Sequence, residues 1–547
     1  MLSGFVPVGG GRQRNGTIAD ADDHRRRLFW LLVLCDDCAS DPEAAAKAPL
    51  MVYTTGGPGC SGLDAFLYEY GPFVASIGSR SGGRPPANVA LAQNPHSWAR
   101  RASVLYVDSP CGTGFSYAPG QARYDADDRR TVDDLVAFLG ALLGDGGALG
   151  GGDGGAHGAP TSELLRAVGQ KSPLYVAGES YAGVYVPMLV EALVLGGGDQ
   201  SADHDDDHHA TAIASLSARL RGYIVGNAVT DDVYDGNAKP VFAWGMNLLD
   251  PPSWRELRRA CACGKEDGEA DGEDSSRYCF WNVTTDSCRD ALDDMTSALS
   301  GINPYSVLDD CTSGDGGEGG GEGEEASSSS RPAATRRRRS LLLSDRLLAR
   351  QGLSTSHPNH AVACSDRRAA RALFRSAEGR AALGIPEEAP DWEPCADASL
   401  SYRFSRLVGE GSMVRVHERL LLPQGQGAAA GTRRPRSRPL RALVLSGDHD
   451  LVVPVTGTRA WVYGEMAGRM RERRAWSAWR YDDDERGAGG AKQVGGFAVV
   501  WEGERGGGGG GGELTFATVK GAGHMAAQTR PLQTLRLLER WLDGDLV

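Results

Sequence analysis

Ser180 stands in Gly178-Glu179-Ser180-Tyr181-Ala182-Gly183, directly after the apolar run Pro173-Leu174-Tyr175-Val176-Ala177. A short strand that empties into Gly-x-Ser-x-Ala-Gly predicts a strand–turn–helix elbow, with alanine where a second glycine is usual and a glycine one place later. Gly178 and Ala182 carry too little side chain to obstruct the turn, so the serine Oγ is pushed into open space above a sheet. A serine held this way is a nucleophile that needs a base and an acid to orient the base. Two later segments offer them. Arg441-Ala442-Leu443-Val444-Leu445 has the pattern of a buried strand and ends in Ser446-Gly447-Asp448-His449-Asp450. Leu514-Thr515-Phe516-Ala517-Thr518-Val519-Lys520 is a second such strand and ends in Gly521-Ala522-Gly523-His524. Loops at strand ends are where open α/β sheets carry chemistry. We take Asp450 rather than Asp448 as the acid, because it stands three residues beyond the glycine of its turn. Serine, acid and histidine in that chain order imply acyl transfer through a covalent serine intermediate.

The elements that must position these residues are strands of a mixed, mostly parallel sheet flanked by helices. The expected class is therefore α/β, specifically the α/β-hydrolase fold with an inserted cap. Further motifs run along most of the chain. They include Gly56-Gly57-Pro58-Gly59-Cys60-Ser61, Glu69-Tyr70-Gly71-Pro72-Phe73, Asn94-Pro95-His96-Ser97-Trp98 and Leu105-Tyr106-Val107-Asp108-Ser109-Pro110. Gly112-Thr113-Gly114-Phe115-Ser116-Tyr117, Leu220-Arg221-Gly222-Tyr223-Ile224-Val225-Gly226-Asn227, Asn303-Pro304-Tyr305, Trp392-Glu393-Pro394-Cys395 and Val494-Gly495-Gly496-Phe497 follow in order. Together with the elbow, this series resembles the serine carboxypeptidases, the group that includes cathepsin A and the yeast and plant vacuolar enzymes. The resemblance implies Ser180 as nucleophile, His524 as general base and Asp450 as its orienting acid. It implies an oxyanion hole formed by the backbone N–H groups of Gly57 and Tyr181. It also implies a site for the substrate carboxylate at Thr55, Gly56, Glu69 and Glu179, and a substrate pocket that includes Met525. Two buried carboxyls close together cannot both ionise cheaply, so one holds a proton and can donate it to a carboxylate. That arrangement works only while the proton is bound, which implies peptidase activity favouring acid.

One position departs from the peptidase pattern. The family usually has asparagine before the two glycines, where this chain has Thr55. Threonine there resembles the family's plant acyltransferases, which move acyl groups from glucose esters, although Glu179 keeps the peptidase residue. The favoured reading is a serine-type carboxypeptidase acting through an acyl-enzyme. The competing readings are an acyltransferase on the same triad and a non-catalytic partner that protects other hydrolases. Met525 is followed by Ala526-Ala527 where the family has valine and proline, so the loop after the base departs from the pattern too.

The chain has 547 residues, 41% hydrophobic, with a formal net charge of −13. That charge argues against nucleic acid as a partner, and no apolar run approaches the ~20 residues of a membrane span. The expected partners are peptide or protein C-termini as substrate, with room for a homodimer; no cofactor or metal is implied. We divide the chain into a first core half (1–230), a cap (231–364) and a second core half (365–547). Low-complexity stretches at Gly144–Gly155, Asp203–His209, Ser313–Arg339 and Gly506–Gly512 are assigned to surface loops. The Asp/His tract Asp203–His209 is taken as solvated loop rather than a metal site. The insert 313–350 is the expected place for excision, with cleavage near Arg336–Arg339. Arg25-Arg26-Arg27 before Leu28–Leu34 looks like a signal peptide but is too short and starts too late; it matches the family's early strand. The family pattern begins almost at Met1, so a leader is expected to have been removed or to lie outside this sequence.

Eleven cysteines are present. By resemblance, Cys60 pairs with Cys395, Cys311 with Cys364, Cys261 with Cys288 and Cys263 with Cys279. Cys261-Ala262-Cys263 has the wrong spacing for a zinc knuckle. Cys111 is expected to be a buried thiol, and Cys35 and Cys38 are left either paired or free. Disulfides need an oxidising compartment, and the sequons at Asn15 and Asn282 fit glycosylation there. The expected location is the secretory pathway, ending in a vacuole, a lysosome or outside the cell.

Overall fold

The computed structural model describes residues 1–8, 26–77, 89–144, 162–195, 207–263, 278–310, 367–396, 399–422, 438–482, 492–503 and 511–546. Among these described residues, fourteen strands follow one another. They are β1 (Leu2–Val8), β2 (Arg26–Val33), β3 (Leu50–Thr54), β4 (Phe73–Ile77), β5 (Val89–Gln93), β6 (Ser103–Val107) and β7 (Tyr124–Asp127). Then come β8 (Leu174–Glu179), β9 (Leu220–Gly226), β10 (Leu400–Arg403), β11 (Arg441–Gly447), β12 (Arg471–Tyr481), β13 (Gln493–Glu502) and β14 (Glu513–Val519).

Ten of them form one sheet in the order β1-β2-β6-β3-β8-β9-β11-β14-β13-β12. The strands from β6 to β14 in that order run parallel, and antiparallel pairs close both edges. Strand β4 pairs with β5, and β7 with β10, outside this sheet. Strands buried on both faces need apolar residues at every position, and β3, β8 and β11 supply them. Alternate residues feed two layers: Leu50, Val52, Leu174 and Val176 pack into one core, while Met51, Tyr53, Tyr175 and Ala177 pack into the other. This is the α/β-hydrolase architecture anticipated from the elbow.

The register fixes where the loops emerge. Thr54 pairs with Gly178, Glu179 with Gly226, and Gly447 with Val519. The loops after β3, β8, β9, β11 and β14 therefore leave one edge of the sheet side by side. Between β9 and β10, the helices Asp232–Gly245, Pro251–Ala260 and Asp286–Ala298 gather a third, smaller core around Phe242, Trp254, Phe280 and Leu292. No helix among the described residues is long and apolar enough to cross a membrane.

Cys60–Cys395, Cys261–Cys288 and Cys263–Cys279 are bonded, as is Cys35–Cys38, while Cys111 is a buried free thiol. Cys311, Cys364, Asn15 and the insert 313–350 with Arg336–Arg339 lie outside the described residues. Two low-complexity assignments need correction. The helix Asp207–Arg219 begins inside the Asp203–His209 tract, because the alanine-rich run that follows is a strong helix former and carries the helix back to Asp207. The last glycines of the Gly506–Gly512 run are buried rather than surface loop: Gly512 N–H donates to Leu421 O at 2.8 Å, and a Cβ on Gly512 would lie 2.7 Å from Leu421 Cδ2. Gly512 lies against the end of the helix Met413–Leu421 with no space for a side chain.

Candidate active site

Ser180 is the first residue past β8 and has φ of 59°, a left-handed conformation that a non-glycine residue adopts only when its surroundings force it. The forcing contacts are backbone ones. Ser180 N–H donates to Gly226 O at 2.9 Å, while Ser180 O accepts from Gly183 N at 3.0 Å and Val229 N at 2.9 Å. The small flanking residues are required sterically. A Cβ on Gly178 would stand 2.6 Å from both Ala182 Cβ and Thr54 O, and one on Gly183 would stand 2.5 Å from Val229 O. The chain then enters the helix Ala182–Leu195.

The glycine loop after β3 lies directly against this elbow. A Cβ on Gly56 would be 2.3 Å from Tyr181 N and 2.9 Å from Ser180 Cβ. Gly57 has φ of +110°, and the Gly57–Pro58 peptide is cis. Behind the loop, Ser61 Oγ donates to buried Asp108 Oδ1 at 2.6 Å and accepts from Trp392 Nε1 at 2.9 Å. Asp108 also accepts from Gly62 N and Phe115 N, yet burial pushes it up to about 6. The Tyr181 hydroxyl points away from the loop and donates to Asp128 Oδ1 at 2.9 Å. That contact anchors the residue whose N–H faces the glycine loop.

Asp450 and His524 meet: His524 Nδ1 lies 2.7 Å from Asp450 Oδ2, and both side chains are buried. Asp450 also accepts from Val452 N at 2.7 Å, Val453 N at 3.1 Å and Asn227 Nδ2 at 2.8 Å. The donors fix the carboxylate in place, and its contact with Nδ1 orients the imidazole with Nε2 directed away from Asp450. Asp448 is occupied elsewhere, with His449 Nδ1 and Gly521 N both 2.6 Å from its Oδ1. Met525 follows His524, is buried, and precedes the short helix Ala526–Thr529.

Two contributors to this site stood in the sequence motifs but were given no role there. Asn227, with φ of +41°, clamps the end of β9 to that of β11, since its Oδ1 accepts from Gly447 N at 3.0 Å while its amide supports Asp450. Its position one residue past a strand end is the signal that would have found it. The segment at Asn303-Pro304-Tyr305 holds the loops of both Asp450 and His524. Tyr305 O accepts from His524 N at 2.6 Å, Pro304 O from Leu451 N at 2.9 Å, and the Tyr305 and His524 rings meet edge-on at 5.3 Å.

Glu69 closes the helix Gly62–Tyr68, and Glu179 ends β8 immediately before Ser180. Both are buried. Burial first, then the charge of Glu179, hold Glu69 well above the ordinary carboxyl range; burial also raises Glu179. The two carboxyls interact, with the neutral form favoured at Glu69. Tyr70 Oη donates to Glu179 Oε2 at 3.3 Å. A buried ion pair, Arg367 to Asp64 at 2.6 Å, sits on the same helix. Thr55 is half-buried and donates its hydroxyl to Ser61 O at 3.4 Å. Among the described residues, no group of three or more His, Cys, Asp or Glu side chains is arranged to hold a metal ion.

Comparison with known proteins adds three findings. The family model for serine carboxypeptidases matches residues 7–153 and 165–544. Serine carboxypeptidase 1 of Hordeum vulgare is 28% identical over 559 residues, covering 100% of this chain and 92% of its own. Serine carboxypeptidase-like 20 of Arabidopsis thaliana is 27% identical over 561 residues, covering 100% and 93%. Among solved structures, a prohormone-processing carboxypeptidase from Saccharomyces cerevisiae superposes with a TM-score of 0.58 at 16% identity, over 99% of this chain and 91% of that one.

Proposed function

The chain belongs to the serine carboxypeptidase family, and from that premise we propose that it releases single residues from peptide C-termini through an acyl-enzyme. Ser180 Oγ attacks the last peptide carbonyl while His524 takes its proton and Asp450 steadies the imidazolium. The backbone N–H groups of Gly57 and Tyr181 receive the developing oxyanion, each contributing on the order of 3 kcal/mol. His524 then returns the proton to the leaving amine, and water hydrolyses the acyl-enzyme by the same route in reverse. Thr55, Gly56 and the Glu69–Glu179 pair bind the carboxylate of the departing residue, and Met525 lines the pocket for its side chain.

The observation that carries this reading is the pair of buried, interacting carboxyls, both raised by burial and one of them adjacent to Ser180. An esterase or amidase has no use for a proton-holding acid pair at that place, whereas a terminal carboxylate needs a donor there. The raised proton affinities confine carboxylate binding to pH values at which the pair keeps its proton, so peptide hydrolysis favours acid. Four disulfides among the described residues and an exposed Asn282 sequon favour the secretory pathway, with a vacuole, a lysosome or the extracellular space as destination.

Thr55 supports a second reading. It lacks the reach and the amide of asparagine, which favours an acyltransferase working from glucose esters. The test is to incubate the purified protein with N-blocked dipeptides and with glucose esters plus an acceptor alcohol, and to identify products by mass. Release of the C-terminal amino acid supports the peptidase. Ester transfer without peptide hydrolysis establishes the alternative.

A further inference from the structure

Tyr70 is a buried phenol that the mechanism above does not use. Its ring is clamped between Trp98, at a centroid distance of 3.9 Å, and Tyr53, edge-on at 5.1 Å. Its backbone is fixed as well: Tyr70 N donates to Ala65 O, and Tyr70 O accepts from Trp98 N and Ser97 Oγ, each at 3.0 Å. A ring held on both faces and at both backbone groups cannot swing away. Its one polar atom lies 3.3 Å from Glu179 Oε2.

A phenol is neutral over the whole working range and brings a donor that a carboxylate can accept but a protonated carboxyl oxygen uses less well. We propose that Tyr70 is a positioning residue of the carboxylate site, whose O–H donated to Glu179 aims that carboxyl and biases the proton of the acid pair onto Glu69. The proposal rests on the carboxypeptidase reading and deepens it.

The other groups facing Glu179 differ from Tyr70 in carrying or exchanging charge. Asp64, on the helix Gly62–Tyr68, adds negative charge; His524 and the partner acid Glu69 favour the ionised form; Tyr53 lies on β3. Arg367 acts on Asp64 and Glu69. Tyr70 is the uncharged donor that reaches Glu179, and its hydrogen bond favours the ionised form. Removing the hydroxyl therefore lets the pair keep its proton to higher pH. The residue acts as a setting for the alkaline limit of carboxylate recognition.

The experiment compares wild type with Tyr70→Phe, which keeps the clamped ring. The first readout is the ratio of kcat/KM for a blocked dipeptide acid to that for its amide, followed against pH. The second is infrared titration of the protonated carboxyl C=O band, which needs no turnover. In Tyr70→Phe, the pH at which the ratio falls by half and the pH at which the band disappears should both move upward by about one unit, the size of one hydrogen bond to a charged group. The effect should lie in KM for the acid substrate. Wild-type profiles that separate acid from amide, with both midpoints unmoved in Tyr70→Phe, overturn the role of Tyr70 alone. A loss of kcat on both substrates without a midpoint shift also overturns it, leaving the residue structural. Acid and amide profiles that coincide in wild type overturn the carboxylate-site reading itself.

Discussion

Asp450 shows how much chemistry one carboxylate can organise when the fold aims donors at it. His524 Nδ1, Asn227 Nδ2 and the N–H groups of Val452 and Val453 converge on it at 2.7 to 3.1 Å, so four protein groups fix its position. Replacing Ser180 or His524 by alanine should lower kcat on a blocked dipeptide by roughly four to six orders of magnitude with near-ultraviolet dichroism unchanged. Wild-type rates in a folded Ser180→Ala protein would contradict the assignment. Asn227→Ala should cost about tenfold in kcat/KM, the value of one hydrogen bond to a charged acceptor. Steady-state kinetics beside a thermal melt would separate that loss from unfolding. Ser180, Asp450 and His524 were legible in the sequence because each ends a strand whose apolar run is unmistakable. Asn227 and Tyr70 were not, because their contacts join residues far apart in the chain: Asn227 to Asp450 and Gly447, Tyr70 to Glu179.

At the scale of elements, the site follows from register. Strand β3 pairs with β8 so that Thr54 stands beside Gly178, which brings the glycine loop against the elbow. The steric demand falls on backbone, not on flexible groups that could yield. Gly178→Ala would drive a Cβ to within 2.6 Å of Thr54 O and Ala182 Cβ. We expect a destabilisation of about 1–3 kcal/mol together with loss of activity from a displaced Ser180. Chemical denaturation and kinetics on the same sample check it, and a fully stable, fully active variant would contradict the account of the elbow. Strand boundaries read from sequence fell within a few residues of those observed, since buried parallel strands are continuous apolar runs: Arg441–Leu445 became Arg441–Gly447, and Leu514–Lys520 became Glu513–Val519. The tracts rich in Asp, His and Gly were harder to read, because composition reports solvation and not neighbours. The helix from Asp207 and the buried turn at Gly512 depend on the alanine run and on the Leu421 helix.

For the whole molecule, buried acids set the pH response. Burial raises Asp108 to about 6 and Asp235 to about 7, and raises Glu69 and Glu179 as well. A carboxyl with a raised folded value contributes stability that is complete below the ordinary value of ~4 and is lost as pH climbs through the folded value. Buried His417, lowered to about 3, works the other way, since its contribution is complete above the ordinary ~6.5 and lost as pH falls. Several acids oppose one histidine, so the melting temperature should be higher near pH ~5 than near pH ~8. Asp235→Asn should narrow that difference in calorimetry, and a melting temperature that rises toward alkaline pH would contradict it. Activity should follow the same protons at one place. The direct test of the central claim is kcat/KM against pH for a blocked dipeptide with a free C-terminal carboxylate and for its matched amide. The account predicts that the acid substrate is favoured at low pH and fades as the Glu69–Glu179 pair loses its proton, while the amide persists to higher pH. Glu179→Gln, which donates at every pH, should bring the two profiles together. Profiles that already superimpose in the wild-type protein would contradict the claim.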